Sequence, residues 1–90
     1  MLAVAVRVRG RVQGVGYRAW CRGEAAARGL AGWVQNEADG SVSAWLEGPG
    51  EAVDAMIEAM RSVPPAGRVD SIDWEARGAT GADGFRVLRG

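Results

Sequence analysis

The sequence predicts an α+β fold: a two-layer sandwich with two helices on one face of an antiparallel sheet and a short extra C-terminal strand. Three observations carry the prediction. Apolar and polar residues alternate with the period of half-buried strands, two intervening stretches repeat at helical spacing, and glycine-rich or Asp-Gly turns separate them. Ninety residues are enough for one such layer pair and a small site, so one domain spanning residues 1–90 is expected.

Leu2, Val4, Val6 and Val8 alternate with Ala3, Ala5, Arg7 and Arg9, a strand with one buried face that ends near Arg9. From Tyr17 to Arg28 the residues Tyr17, Cys21, Ala25 and Arg28 share one side of a helix, and Gly29 suits the left-handed position after its end. Asp39-Gly40 makes a hairpin turn between a strand at Trp33 to Glu37 and another at Val42 to Leu46. Val53, Met56, Ile57 and Met60 then mark an amphipathic helix between Pro49 and Val63. Glu51 and Asp54 lie near its start, Arg61 lies near its end, and Pro64-Pro65 stops it. A fourth strand is expected around Val69 to Trp74, then a glycine-rich turn and a last short strand around Phe85 to Leu88. The order β-α-β-β-α-β is that of the ferredoxin-like sandwich, in which the apolar strand faces meet Cys21, Ala25, Val53, Met56, Ile57 and Met60.

Composition narrows the function. Eleven arginines, with no lysine, balance eleven acidic residues, so no global field favours nucleic acid or anionic membrane. One cysteine and no histidine exclude an internal disulfide and a Cys/His zinc set. The N-terminal stretch MLAVAVRVRG alternates and is broken by arginines, unlike a signal peptide or membrane span, so a cytoplasmic location is expected.

The stretch GRVQGVGYR, Gly10 to Arg18, joins the first strand to the first helix. Gly10, Gly14 and Gly16 allow backbone conformations closed to other residues, so successive N–H groups can converge at a helix N-terminus and hold an anion such as phosphate. Arg18 sits in the first turn, where a cation opposes the helix dipole by roughly 0.3 to 1 kcal/mol; a bound anion gripped by its planar fork would compensate. A plain strand-to-helix turn with a solvated arginine is the alternative that glycine spacing alone leaves open. Neither GxxxxGK[ST] nor GxGxxG is present, which disfavours nucleotide chemistry.

GRVQGVGYR resembles the phosphate-binding signature of the acylphosphatases, and GWVQNEADGSVSAWLEG, Gly32 to Gly48, resembles that family's second signature. The resemblance covers nearly the whole chain. It implies the ferredoxin-like fold and hydrolysis of carboxyl-phosphate mixed anhydrides to a carboxylate and inorganic phosphate, with no metal or cofactor. By position it implies that Arg18 binds phosphate with backbone amides of Gln13, Gly14, Val15, Gly16 and Tyr17, and that Asn36 places the attacking water. Tyr17 stands where the family usually has phenylalanine, and Gly23 weakens the first helix by roughly 0.5 to 1 kcal/mol relative to alanine.

A carboxamide orients water but cannot take its proton at neutral pH. Glu37 should face the other side of the strand from Asn36, which leaves a phosphate oxygen of the substrate as the expected acceptor. Asn36 read without the family would equally well cap the hairpin turn. Cys21 is expected in the core, Trp33, Trp45 and Trp74 in strand packing, and Trp20 beside the site. Arg7, Arg9 and Arg11 are expected to face solvent or pair with acids on adjacent strands. The expected partner is thus a small acyl phosphate handled by a monomer, with no nucleic acid or membrane. The rival is a ferredoxin-like module that binds a phosphorylated ligand without catalysis, which needs Arg18 and the loop but has no use for Asn36.

Overall fold

In a computed structural model, which describes residues 1–62 and 67–89, the chain forms β1 (Leu2–Arg11), α1 (Tyr17–Ala27), β2 (Ala31–Asn36), β3 (Val42–Gly48), α2 (Gly50–Met60), β4 (Arg68–Arg77) and β5 (Phe85–Leu88). The expected end of the second helix at Val63 and its stop at Pro64 and Pro65 lie outside the described residues. The sheet order is β4-β1-β3-β2-β5, the ferredoxin-like arrangement with one strand added at the β2 edge. The four main strands pair antiparallel, whereas the added β5 runs parallel to β2, so the five-stranded sheet is mixed.

Register follows the alternation. Val4, Val6 and Val8 pair with Leu46, Ala44 and Val42, and all six face the helices as buried core. Tyr17, Cys21 and Ala25 of α1 and Val53, Met56, Ile57 and Met60 of α2 close over them. Arg28, expected on the same helix side as Tyr17, lies just past α1 and is only half-buried, paired with Glu24. Burial drives the Cys21 thiol up to about 12, which makes it a small apolar filler rather than a nucleophile.

Tyr17 meets the condition its hydroxyl imposes. The ring is buried and the hydroxyl donates to the Met60 carbonyl at 2.8 Å, tying the start of α1 to the end of α2. Replacing Tyr17 by phenylalanine is expected to cost about 1 kcal/mol by leaving that carbonyl without its donor. A denaturation midpoint measures the loss.

Two expectations are corrected. Gly10 is not part of the loop: it lies in β1 at a register shift opposite β4, with φ 138°, and a Cβ there would come within 2.2 Å of the Arg68 carbonyl oxygen. β1 therefore continues past Arg9 to Arg11. Trp74 is not packed into the strand layer but is 51% exposed, because β4 is an edge strand that neither helix reaches across. Trp33 and Trp45 do pair across β2 and β3, on the sheet face away from the helices. On that open face Arg9 pairs with Asp73 at 3.2 Å, and Arg7 reaches Asp39 at 3.6 Å.

A buried carboxylate fastens the glycine-rich turn between β4 and β5. Glu47 is 3% exposed and accepts hydrogen bonds from Trp45 Nε1, Thr80 N and Oγ1, Gly81 N and Ala82 N. The Trp45 indole and the Thr80 amide lead in pulling its carboxyl from an ordinary value near 4.5 to about 2, against the desolvation that would raise it. The folded pKa is the lower one, so this stabilisation is complete above about pH 4.5 and is lost as pH falls through about 2. Glu47→Gln is expected to melt at lower temperature than the parent at neutral pH, with the gap closing between pH 4.5 and 2. Parallel melting curves against pH would show it.

Candidate active site

The loop from Val12 to Gly16 leaves the end of β1 and enters α1 through Gly16, which occupies the N-cap position in the left-handed conformation at φ 81°. Gly14 is also left-handed at φ 73°. Both are open positions where added bulk would meet nothing, so backbone conformation, not space, demands glycine there. No side chain caps α1. Among the described residues, no hydrogen-bond acceptor engages the backbone N–H groups of Gln13, Gly14, Val15, Gly16 or Tyr17. Unpaired amides at the positive end of a helix form a concave donor surface suited to an anion.

Gln13 has a role that its position in the motif did not reveal. Its Nε2 donates to the carbonyls of Glu37 and Ser41, both at 2.8 Å, and so pins the loop to the two sides of the β2–β3 hairpin. Asn36, the last residue of β2, is the neighbour of one of these anchors. Arg18 is half-buried, and its Nη1 donates to the Leu88 carbonyl at 2.8 Å. Leu88 in turn pairs with Gln35, the residue before Asn36. The loop, Arg18 and Asn36 are thus gathered at one end of the sheet, one through Gln13 and one through β5. Trp20 stacks on Tyr17 with ring centroids 5.7 Å apart, partly buried against the core.

The hairpin turn is closed by other residues: Glu37 N donates to the Ser41 carbonyl at 2.8 Å, and Asp39 Oδ1 accepts from Ser41 N at 2.9 Å. Asn36 Oδ1 is buried and has no hydrogen-bond partner among the described residues. A buried, unpaired carbonyl oxygen costs free energy unless water or a ligand meets it. Asn36 pairs with Val42 in a row that faces the helices, whereas the Glu37 carboxylate accepts from Ser43 Oγ on the open face. The two side chains therefore point to opposite faces, as the strand period requires.

Two features around β5 were not legible beforehand. The Leu88 carbonyl and the Glu47 anchor of β5 depend on contacts across 70 and 33 to 35 residues of chain, which no local motif encodes. Among the described residues, no group of three or more His, Cys, Asp or Glu side chains lies close enough together to hold a metal ion, and no helix is long and apolar enough to cross a membrane.

The family model for acylphosphatase matches residues 4–87. An acylphosphatase of Mesorhizobium japonicum is 54% identical over 87 residues, covering 96% of this chain and 93% of that protein. One of Azorhizobium caulinodans is 52% identical over 81 residues, covering 89% of this chain and 87% of that one. The crystal structure of acylphosphatase from Bacillus subtilis superposes with a TM-score of 0.95 at 39% identity, covering 98% of this chain and 99% of that one. Identity at this level across nearly full length, on the same fold, means that the chain belongs to the acylphosphatase family of hydrolases.

Proposed function

We propose that the protein hydrolyses acyl phosphates to a carboxylate and inorganic phosphate without a metal ion. Arg18 and the amides of Gln13, Gly14, Val15, Gly16 and Tyr17 hold the phosphate, and Asn36 orients the attacking water. The observation that carries this reading is the gathering of unpaired amides, a guanidinium and an unpaired carboxamide oxygen at one end of the sheet. An acyl phosphate is already activated, so no covalent nucleophile is needed. Fixed donors stabilise the charge that develops on the equatorial oxygens.

Asn36 Oδ1 accepts a hydrogen bond from the water, which turns a lone pair towards phosphorus. The water oxygen bonds to phosphorus, the P–O bond to the acyl group breaks, and the carboxylate leaves with that electron pair. The water's proton passes to a phosphate oxygen. Glu37 is occupied by Ser43 on the far face, which supports leaving it out of the proton path.

All these groups come from one chain, and the zero net charge gives no field for a polyanion. We further propose that a single domain acts as a monomer in the cytoplasm on a small acyl phosphate, with no cofactor, membrane or nucleic acid.

Benzoyl phosphate hydrolysis in excess chelator tests the reading. Turnover is expected to be unaffected by the chelator, and Glu37→Gln should keep the parent's pH profile of kcat. Loss of turnover on chelation would overturn metal independence. An essential carboxylate that disappears with Glu37→Gln would overturn the proton path. If the parent shows no turnover although inorganic phosphate protects it against unfolding, the chain is a phosphate-binding module instead.

A further inference from the structure

Glu47 lies far from the proposed chemistry. On the β2–β3 ladder it pairs with Ala31, whereas Asn36 at the other end pairs with Val42. Its carboxylate is nevertheless buried and saturated. Oε1 accepts from Trp45 Nε1 at 2.9 Å, from Thr80 N at 3.1 Å and from Thr80 Oγ1 at 2.9 Å. Oε2 accepts from Thr80 N at 3.0 Å, Gly81 N at 2.7 Å and Ala82 N at 3.2 Å. All of these donors except the indole belong to the turn between β4 and β5.

That turn leads directly to Arg18. Gly84 at its end accepts from Gly32 N at 2.9 Å, and β5 then runs four residues beside β2, its only strand partner among the described residues, to the Leu88 carbonyl that holds Arg18 Nη1 at 2.8 Å. A strand this short, paired on one side only, sets its height along β2 partly through what fastens its entry. Only an ionised carboxylate suits the role. It is acceptor-only, with lone pairs for every donor of the turn, whereas a glutamine would turn its own N–H groups against backbone amides.

We propose that Glu47 is a positioning residue for Arg18, acting through the turn at residues 78–84 and strand β5. Withdrawing it lets β5 shift along β2, moves the Leu88 carbonyl, and frees the Arg18 Nη1 that this carbonyl holds, so the guanidinium loses its fixed orientation. The inference rests on the reading of Arg18 as the phosphate ligand.

The test compares Glu47→Gln, Glu47→Ala and the milder Thr80→Val with the parent, at a temperature where circular dichroism shows each variant folded. Inhibition by inorganic phosphate, KM and kcat for benzoyl phosphate, and the side-chain 15N signals of Arg18 are measured. In the Glu47 variants, KM and the phosphate inhibition constant are expected to rise together by about three- to tenfold. Separate Arg18 Nη signals of the parent should merge as the group begins to rotate, and Thr80→Val should move each readout less in the same direction.

Folded Glu47 variants that melt earlier but keep the parental inhibition constant and Arg18 signals would overturn the proposal, since a merely structural anchor behaves that way. If Glu47→Ala does not fold, Glu47→Gln and Thr80→Val decide by the same criteria. Arg18→Ala, measured alongside, separates the two readings. Unchanged phosphate inhibition in that variant would remove Arg18 as the ligand. Inhibition lost there but untouched in the Glu47 variants would remove only the positioning role.

Discussion

Arg18→Ala is expected to lower kcat/KM for an acyl phosphate by about a thousandfold, the upper range for deleting one preorganised donor, because the same group also binds the ground-state phosphate. The variant should not be less stable. Arg18 lies in the first turn of α1, where its charge opposes the dipole, and its hydrogen bond to the Leu88 carbonyl is only part-buried, so water can replace it. Activity and stability are therefore expected to separate. A steady-state assay beside a urea titration would show the first collapsing while the midpoint stays or rises.

Arg18→Lys sharpens the point. It keeps the charge but loses the fork that can bond Leu88 and phosphate together, so it should recover less than about a tenth of the lost activity. Activity of Arg18→Ala within tenfold of the parent would mean that the loop amides hold the anion alone.

The main elements were legible because their determinants are local. Val4, Val6 and Val8 declare a strand by alternation, Val53, Met56, Ile57 and Met60 declare a helix by spacing, and Asp39-Gly40 declares a hairpin. The split βαβ order then leaves few topologies, and the four main strands take the ferredoxin-like arrangement, whereas the parallel docking of β5 on β2 is not encoded in that order. Gly10 was misassigned for the opposite reason. Its need for a missing side chain comes from the Arg68 carbonyl, 58 positions away along the chain and brought near only by β1–β4 pairing. Trp74 was misjudged because exposure at a sheet edge is set by where the helices end, and strand period says nothing of that.

The candidate site divides along the same line. Loop glycines, Arg18 and Asn36 stand in two short motifs. What joins the motifs, namely Gln13 reaching the hairpin carbonyls and β5 reaching Arg18, is long-range and appears only in three dimensions.

Asn36→Ala is expected to reduce kcat by about a hundredfold, the loss that follows when a reacting group is no longer held in line. Binding of inorganic phosphate should change little. The loop amides and Arg18 remain, and the hairpin beside them is closed by Glu37, Asp39 and Ser41 rather than by the carboxamide. Stability gives a second, opposite-signed readout. In most hairpins an asparagine-to-alanine change at a strand end costs a hydrogen bond. Here the deleted Oδ1 is buried with no partner among the described residues, so its removal relieves an uncompensated polar group. The variant should be as stable as the parent or more so. Phosphate inhibition constants, kcat and a denaturation midpoint on the same preparation check all three. Weaker folding with intact turnover would return Asn36 to the role of a turn residue and leave the attacking water to be placed by the phosphate and the loop. Lost turnover with intact phosphate binding and undiminished stability is the signature of a residue that is kept for the water it holds.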